Sequence, residues 1–452
     1  MDLITLPSNR KPTITIDTEN ERLKQISCEI ISPVLISFVW WVLTKARKSG
    51  LKKLYFLARD GYIMYKIAKI FCVRFDLNIE CRYLYGSRLA WRAALYHLIG
   101  GEKYERIFCG GYMLTPRVIL KRVQANREQR HKIYCDINNN TDTYIFDLSN
   151  ENEILNDESM RIFSEKLKNS RAFNEYLDYT SQNQFKKVSM YLYQEDVFDG
   201  SDITLVDSGW TGSIQRTLRQ IAEFNGIKPN ITGYYFGLYE QSNDIRDGNY
   251  EAWYFSPKSP VKLMTNFNNN VLECMCASPF GMTIGYEYSE NSGMYKPVLG
   301  DNGINFENAR QLNEYIETYT VDFLNDRNIK FEGYSDVYLE KCRKVLQRFM
   351  MNPTKEEAET IGQFKFCDDA SEAYENSLAR FTDEKYLKNY TVLNRILNKK
   401  FRRKIVQTTE PDLFWFHGSL VFSGIPHRGW YRFNYILWET LRHLKIKYRQ
   451  KH

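Results

Sequence analysis

The chain has 452 residues, with 62 Lys/Arg against 55 Asp/Glu and a formal net charge of +7. A hydrophobic share of 43% and an aromatic share of 15% supply ample buried core and exclude a disordered chain. The nine cysteines are scattered with no CxxC or Cys/His spacing, which speaks against structural zinc and for reduced cytosolic thiols.

Residues 1–20 read as a leader of low structural commitment, without the basic-then-apolar order of a signal peptide. Glu21–Lys48 reads as helix, interrupted near Pro33 and closed by Ser49–Gly50; its apolar stretch Ile30–Leu43 is too short to span a bilayer and is expected to be buried. Lys53–Leu57 reads as a strand, Tyr62–Phe75 as a helix, Ile79–Tyr85 as a second strand and Leu89–Ile99 as a second helix. Such alternation predicts a parallel sheet with right-handed crossovers, so residues 21–100 form the first part of an α/β core. Residues 101–195 lose the alternation and read as a mostly helical insertion. The core resumes over 196–260, with strands at Ile203–Val206, Ile231–Leu238 and Ala252–Phe255 and a helix after Thr211. Residues 261–452 read as a helical C-terminal region, clearest at Asn308–Phe323, Asp336–Met351 and Lys355–Gly362. Its basic tail, Arg428–His452, holds seven Lys/Arg and one acid, Glu439, among Trp430, Tyr431, Phe433, Tyr435, Leu437 and Trp438. That composition suits either a terminal helix packed on the core or peripheral contact with the inner face of an anionic membrane. No recognisable nucleic-acid module accompanies the charge, so nucleic acid is not an expected partner.

Chemistry concentrates where predicted strands end. In ITLVDSGWTGSIQRTL a β-branched run reaches Asp207, turns through Ser208, Gly209, Trp210, Thr211 and Gly212, and re-emerges as a helix at Ser213. A strand, a glycine-bearing turn and a helix start present free backbone N–H groups to an anion. The segment LYFLARDGYIMYKIAK repeats the layout, with Ala58, Arg59, Asp60 and Gly61 as its turn, and Ser87–Arg88 ends the strand between them. Ligands of open parallel sheets bind at the carboxyl ends of strands, so these three turns converge if their strands are neighbours. Thr211, Gly212 and Ser213 would then hold a phosphate, Asp207 would accept sugar hydroxyls, and Arg59 and Arg88 would grip a second anion beside Gly61. Each loop alone has a plain reading as caps and turn glycines; together they favour a site. Asp60 and Glu273, the latter in VLECMCASPFGMTIGY, are candidates for the general base. The six histidines show no metal spacing.

ITLVDSGWTGSIQ resembles the loop with which type I phosphoribosyltransferases bind 5-phosphoribosyl-1-pyrophosphate (PRPP), departing from it at Ser208, where many members carry a second acid. The ARDG turn is placed like that fold's pyrophosphate loop and Arg88 like its basic residue on the next loop. Through FLARDG, YLYGSR, DSGWTGS, SPFGMTIGY and NPTKEEAETIGQF the chain also resembles proteins encoded in bacterial capsule and O-antigen clusters, often labelled hydrolase-like members of the HAD superfamily. The resemblance implies an α/β phosphoribosyltransferase-like core that uses PRPP with Mg²⁺ to transfer a 5-phosphoribosyl group to a sugar hydroxyl of a glycan acceptor, expected to be lipid-linked. Two rivals are a HAD-type phosphatase built on Asp17, where TITIDTE has Glu19 in place of a second aspartate, and a non-catalytic scaffold of a polysaccharide assembly complex.

Overall fold

Five strands form one all-parallel sheet in the order β2-β1-β3-β4-β5: β1 Lys53–Leu57, β2 Glu80–Leu84, β3 Ile203–Trp210, β4 Ile231–Leu238 and β5 Asn249–Phe255. A computed structural model of the chain describes residues 19–451, apart from 109–113, 140–144, 302–304, 327–328, 332–333, 367–375 and 401–412. Asp17 and the rest of the leader therefore lie outside the described residues.

The sheet is buried on both faces, as a parallel sheet with helical crossovers requires. Leu54 and Phe56 of β1 point to one layer, with Val206, Tyr234 and Phe236. Tyr55 and Leu57 point to the other, with Leu84, Ile203 and Leu205. This is the period-2 alternation of a strand. On the first face lies the helix Ser32–Lys48, in which Val34, Leu35, Phe38, Val39, Val42 and Leu43 are fully buried. Together with the preceding turns it is long and apolar enough to cross a membrane, yet most of its surface is covered by protein. The expected interruption near Pro33 is a turn of π-helix at Ser27–Ile31. Proline has no N–H to bond the carbonyl four residues back, so the chain widens by a residue before it.

The Gly61–Arg74 helix joins β1 to β2, and the chain then crosses to the other side of β1 for β3. The order therefore reverses between β1 and β3, where open α/β sheets form a crevice. Between Arg88 and Gln194 the described residues are helices and turns, the expected insertion, with a core of its own around Phe163, Leu167, Phe173 and Leu177. A buried ion pair, Arg130 Nε to Glu151 Oε2 at 2.7 Å, ties this unit internally.

The C-terminal region is not purely helical. Thr283–Ser289 (β6) and Met294–Leu299 (β7) form an antiparallel hairpin. Its short strands alternate and turn at Ser289–Gly293, a hairpin signal that the flanking helical segments obscured. The hairpin braces the end of β2: Tyr286 donates to the Tyr85 carbonyl at 2.6 Å, receives Trp91 Nε1–H at 2.8 Å and stacks on Tyr191. The helices expected at Asp336–Met351 and Lys355–Gly362 form with those bounds, and the one expected at 308–323 extends to Asn305–Asn325.

Candidate active site

β3 does not stop at Val206. It continues to Trp210, with Gly209 and Trp210 still paired to Gly237 and Leu238 of β4, so the turn is shorter than the sequence suggests. Glycine at 209 permits this. Its φ is +108°, and a Cβ there would sit 2.4 Å from the Gly237 carbonyl oxygen. The chain then bends at Gly212, φ +60°, to start the Ser213–Phe224 helix with no side-chain cap. The first N–H groups of that helix therefore lack a capping side chain. Arg92 Nη2 reaches Ser213 Oγ at 3.3 Å, adding a guanidinium to the helix start. Thr211 is exposed beside it.

The three expected strand-end turns do meet. Ser208 Oγ donates to Asp60 Oδ2, joining the end of β3 directly to the end of β1. The Asp60 carboxyl of the β1 turn therefore lies directly beside the end of β3. The Ala58–Arg59 peptide in that turn is cis. Glu273, on the helix Asn269–Met275, completes a trio with Asp60 and Asp207. Its Oε1 receives Trp210 Nε1–H at 2.7 Å and Asn269 Nδ2–H at 3.4 Å. Trp210 itself packs against the rings of Phe267 and Tyr239.

Burial pushes all three carboxyls up, and the Asp60 charge adds to the shift at Asp207 and Glu273. Burial raises Asp207 to about 8, with the Asp60 and Glu273 charges adding to the shift and a Ser208 backbone hydrogen bond and Arg88 opposing it. Glu273 rises to about 7 through burial and the Asp60 charge, against Arg88 and its hydrogen bonds to Trp210 and Asn269. Asp60 is raised by burial, against Ser208, Arg59 and Arg88. Arg88 is exposed at the mouth and within electrostatic reach of all three, but forms no ion pair with any of them. Perturbed carboxyls gathered at the carboxyl ends of strands flanking a sheet switch point mark a candidate chemical site.

Some expected residues serve the frame. Ser87 caps the Arg88–Ala93 helix by accepting Ala90 N–H and donates to the Thr283 carbonyl at 2.6 Å. Both roles of its hydroxyl are thus filled within the chain, and it acts by fixing Arg88. Gly61 packs its Cα against Phe56, where a Cβ would lie 3.0 Å from a backbone carbon, so it sets the approach of helix to strand. Among the described residues no group of three His, Cys, Asp or Glu is placed to hold a metal ion by itself.

Arg92 and the Trp210–Glu273 contact escape sequence reading. Arg92 lies one helical turn beyond Arg88, an i, i+4 spacing that signals a shared face. Nothing local announces that Trp210 would meet Glu273, which is 63 residues away. No protein-family model matches the chain, and a search of curated proteins finds no relative.

Proposed function

We propose that the crevice binds PRPP carrying Mg²⁺ and transfers its 5-phosphoribosyl group to a sugar hydroxyl during bacterial surface polysaccharide synthesis. The observation that carries this reading is the meeting, at one switch point, of three perturbed carboxyls, a basic mouth and an uncapped helix start. Thr211, Gly212 and Ser213, with Arg92, would hold the 5-phosphate by backbone N–H groups and the positive end of the helix. Asp207 would accept the ribose hydroxyls, with Asp60 beside it. Arg59 and Arg88 would grip the pyrophosphate, Arg88 forming no ion pair with a carboxylate among the described residues. In the transfer, the bond from ribose C1 to pyrophosphate breaks and a bond from C1 to the acceptor oxygen forms. The acceptor's proton passes to a carboxylate, and pyrophosphate leaves with the bonding pair. Glu273, held by Trp210 and titrating near neutrality, suits the base, because proton transfer is most effective when the pKa lies near the working pH. Stabilising the leaving anion and orienting the ribose would supply most of the rate.

Thermal melting with ligands tests the assignment. PRPP should raise the melting temperature only with Mg²⁺ present, ribose 5-phosphate and pyrophosphate should each raise it less, and ribose 5-phosphate should not be hydrolysed. Release of phosphate from ribose 5-phosphate, with no response to PRPP, would instead support a phosphatase.

A further inference from the structure

The last helix, Arg428–Lys451, runs for 24 residues, about 36 Å at the usual rise per residue. One side of it is anchored. Tyr431, Asn434, Glu439 and His443 are buried, with Tyr435 stacked on Phe416 and His443 on Tyr239. Glu439 pairs with Arg395 and Arg442, and Lys447 donates to the Ser259 carbonyl at 2.6 Å. The other side carries Trp430, Phe433, Leu437, Leu441, Leu444 and Tyr448, all exposed. Their spacings of three and four residues place them in one continuous apolar stripe. Because the opposite face is fixed to the core, the stripe cannot turn inward without breaking those contacts.

The neighbourhood is apolar and basic together. The helix Val392–Lys400 packs beside the last one, through Val392 N–H on Asn434 and Arg395 over Tyr435 and Trp438, and exposes Leu393, Ile396 and Leu397. Lys445, Arg449 and Arg442 are exposed along one flank of the stripe. A row of apolar side chains flanked by cations, with Trp and Tyr towards its two ends, has the chemistry of a helix lying in a lipid headgroup layer. Pairing of two copies through the same stripe would bring the Arg442, Lys445 and Arg449 flank of each copy to the contact, with only a buried, already paired Glu439 on each side to offset them.

We propose that the exposed face of Arg428–Lys451, with Val392–Lys400 beside it, docks the protein flat on a bilayer rich in anionic lipid. The proposal stands on this surface alone. Only its consequence, that a lipid-linked acceptor is presented to the crevice from the membrane plane, rests on the transferase reading. The geometry connects the two, since His443 of the docked helix stacks on Tyr239, Tyr239 neighbours Trp210, and Trp210 bonds Glu273.

Co-sedimentation of the full chain with vesicles tests it. Vesicles of equal parts phosphatidylglycerol and phosphatidylcholine should carry the protein down, and vesicles of phosphatidylcholine alone should not. The double variant Leu441→Glu/Leu444→Glu, altered only at exposed positions, should lose anionic-vesicle binding at least about tenfold. Lys445→Gln and Arg449→Gln should each weaken it by about fivefold at low salt. Each variant should still bind PRPP as the parent does; failure of the parent itself to bind PRPP would remove the transferase reading and leave the vesicle result standing. Absence of binding to anionic vesicles, or equal binding by parent and double variant, would overturn the proposal. So would a parent dimer in sedimentation velocity that the double variant abolishes, since the stripe would then be a contact between copies.

Discussion

At the residue scale the account rests on carboxyls forced to share a crevice. Asp207 keeps its proton up to about pH 8 in the folded chain, whereas an unfolded aspartate releases it near 3.8. Between those values the native state binds more protons, so the ligand-free protein loses stability as pH rises. Asp207→Asn should flatten that decline and stabilise the apo-protein at pH 8 by about 1–2 kcal/mol, read from denaturant curves at pH 5 and pH 8. The same substitution should weaken PRPP binding, an opposite effect on stability and function that a purely structural aspartate would not show. For Glu273, turnover should rise through about pH 7 as the carboxyl ionises. Glu273→Gln should cut kcat by about 10²–10⁴ and remove that limb, whereas Trp210→Phe should keep a limb but move it, because only the hydrogen bond is lost. Because the three carboxyls interact, the limb belongs to the set rather than to Glu273 alone. The residues flanking strand ends were legible in the sequence, since strand, turn and helix start lie within a dozen residues. Arg92 at Ser213 and Trp210 at Glu273 were not, because those contacts are made by packing between distant segments.

At the element scale, β3 and the hairpin carry the geometry. Gly209 sits where no side chain fits, so Gly209→Ala should cost about 2–4 kcal/mol and blur the site as the strand end shifts off β4; chemical denaturation and PRPP titration would measure the two effects. Trp91→Phe removes the hydrogen bond to Tyr286 and part of a fully buried ring, with an expected loss of about 2–3 kcal/mol. β4 was readable to the residue, because an unbroken apolar run with Thr and aromatics suits a central strand. The end of β3 was not. Ser, Gly and Trp after an aspartate have the chemistry of a turn, and only the β4 partner at Gly237 and Leu238 keeps them extended. The hairpin was missed for a related reason: its strands are short, partly exposed and set between long helices, so local pattern alone gave it little weight.

At the scale of the whole molecule, the strand order makes one crevice out of three separate turns. Alternation in the sequence points to a parallel sheet but does not specify which strands are neighbours; the order β2-β1-β3-β4-β5 does, and it places Asp60, Arg88 and Asp207 together. The apolar Ser32–Lys48 helix is packed on the face of that sheet, whereas the last helix leaves a continuous apolar stripe exposed. The most direct measurement of the central claim is calorimetric titration of PRPP with Mg²⁺ into the wild-type chain, Asp207→Ala and Arg88→Ala. The account predicts saturable one-to-one binding by the wild type, weakened about 10- to 100-fold by either substitution, as expected for loss of hydrogen bonds to the ribose at Asp207 or of a charge-assisted contact at Arg88. No binding by the wild type, or equal binding by all three proteins, would contradict it.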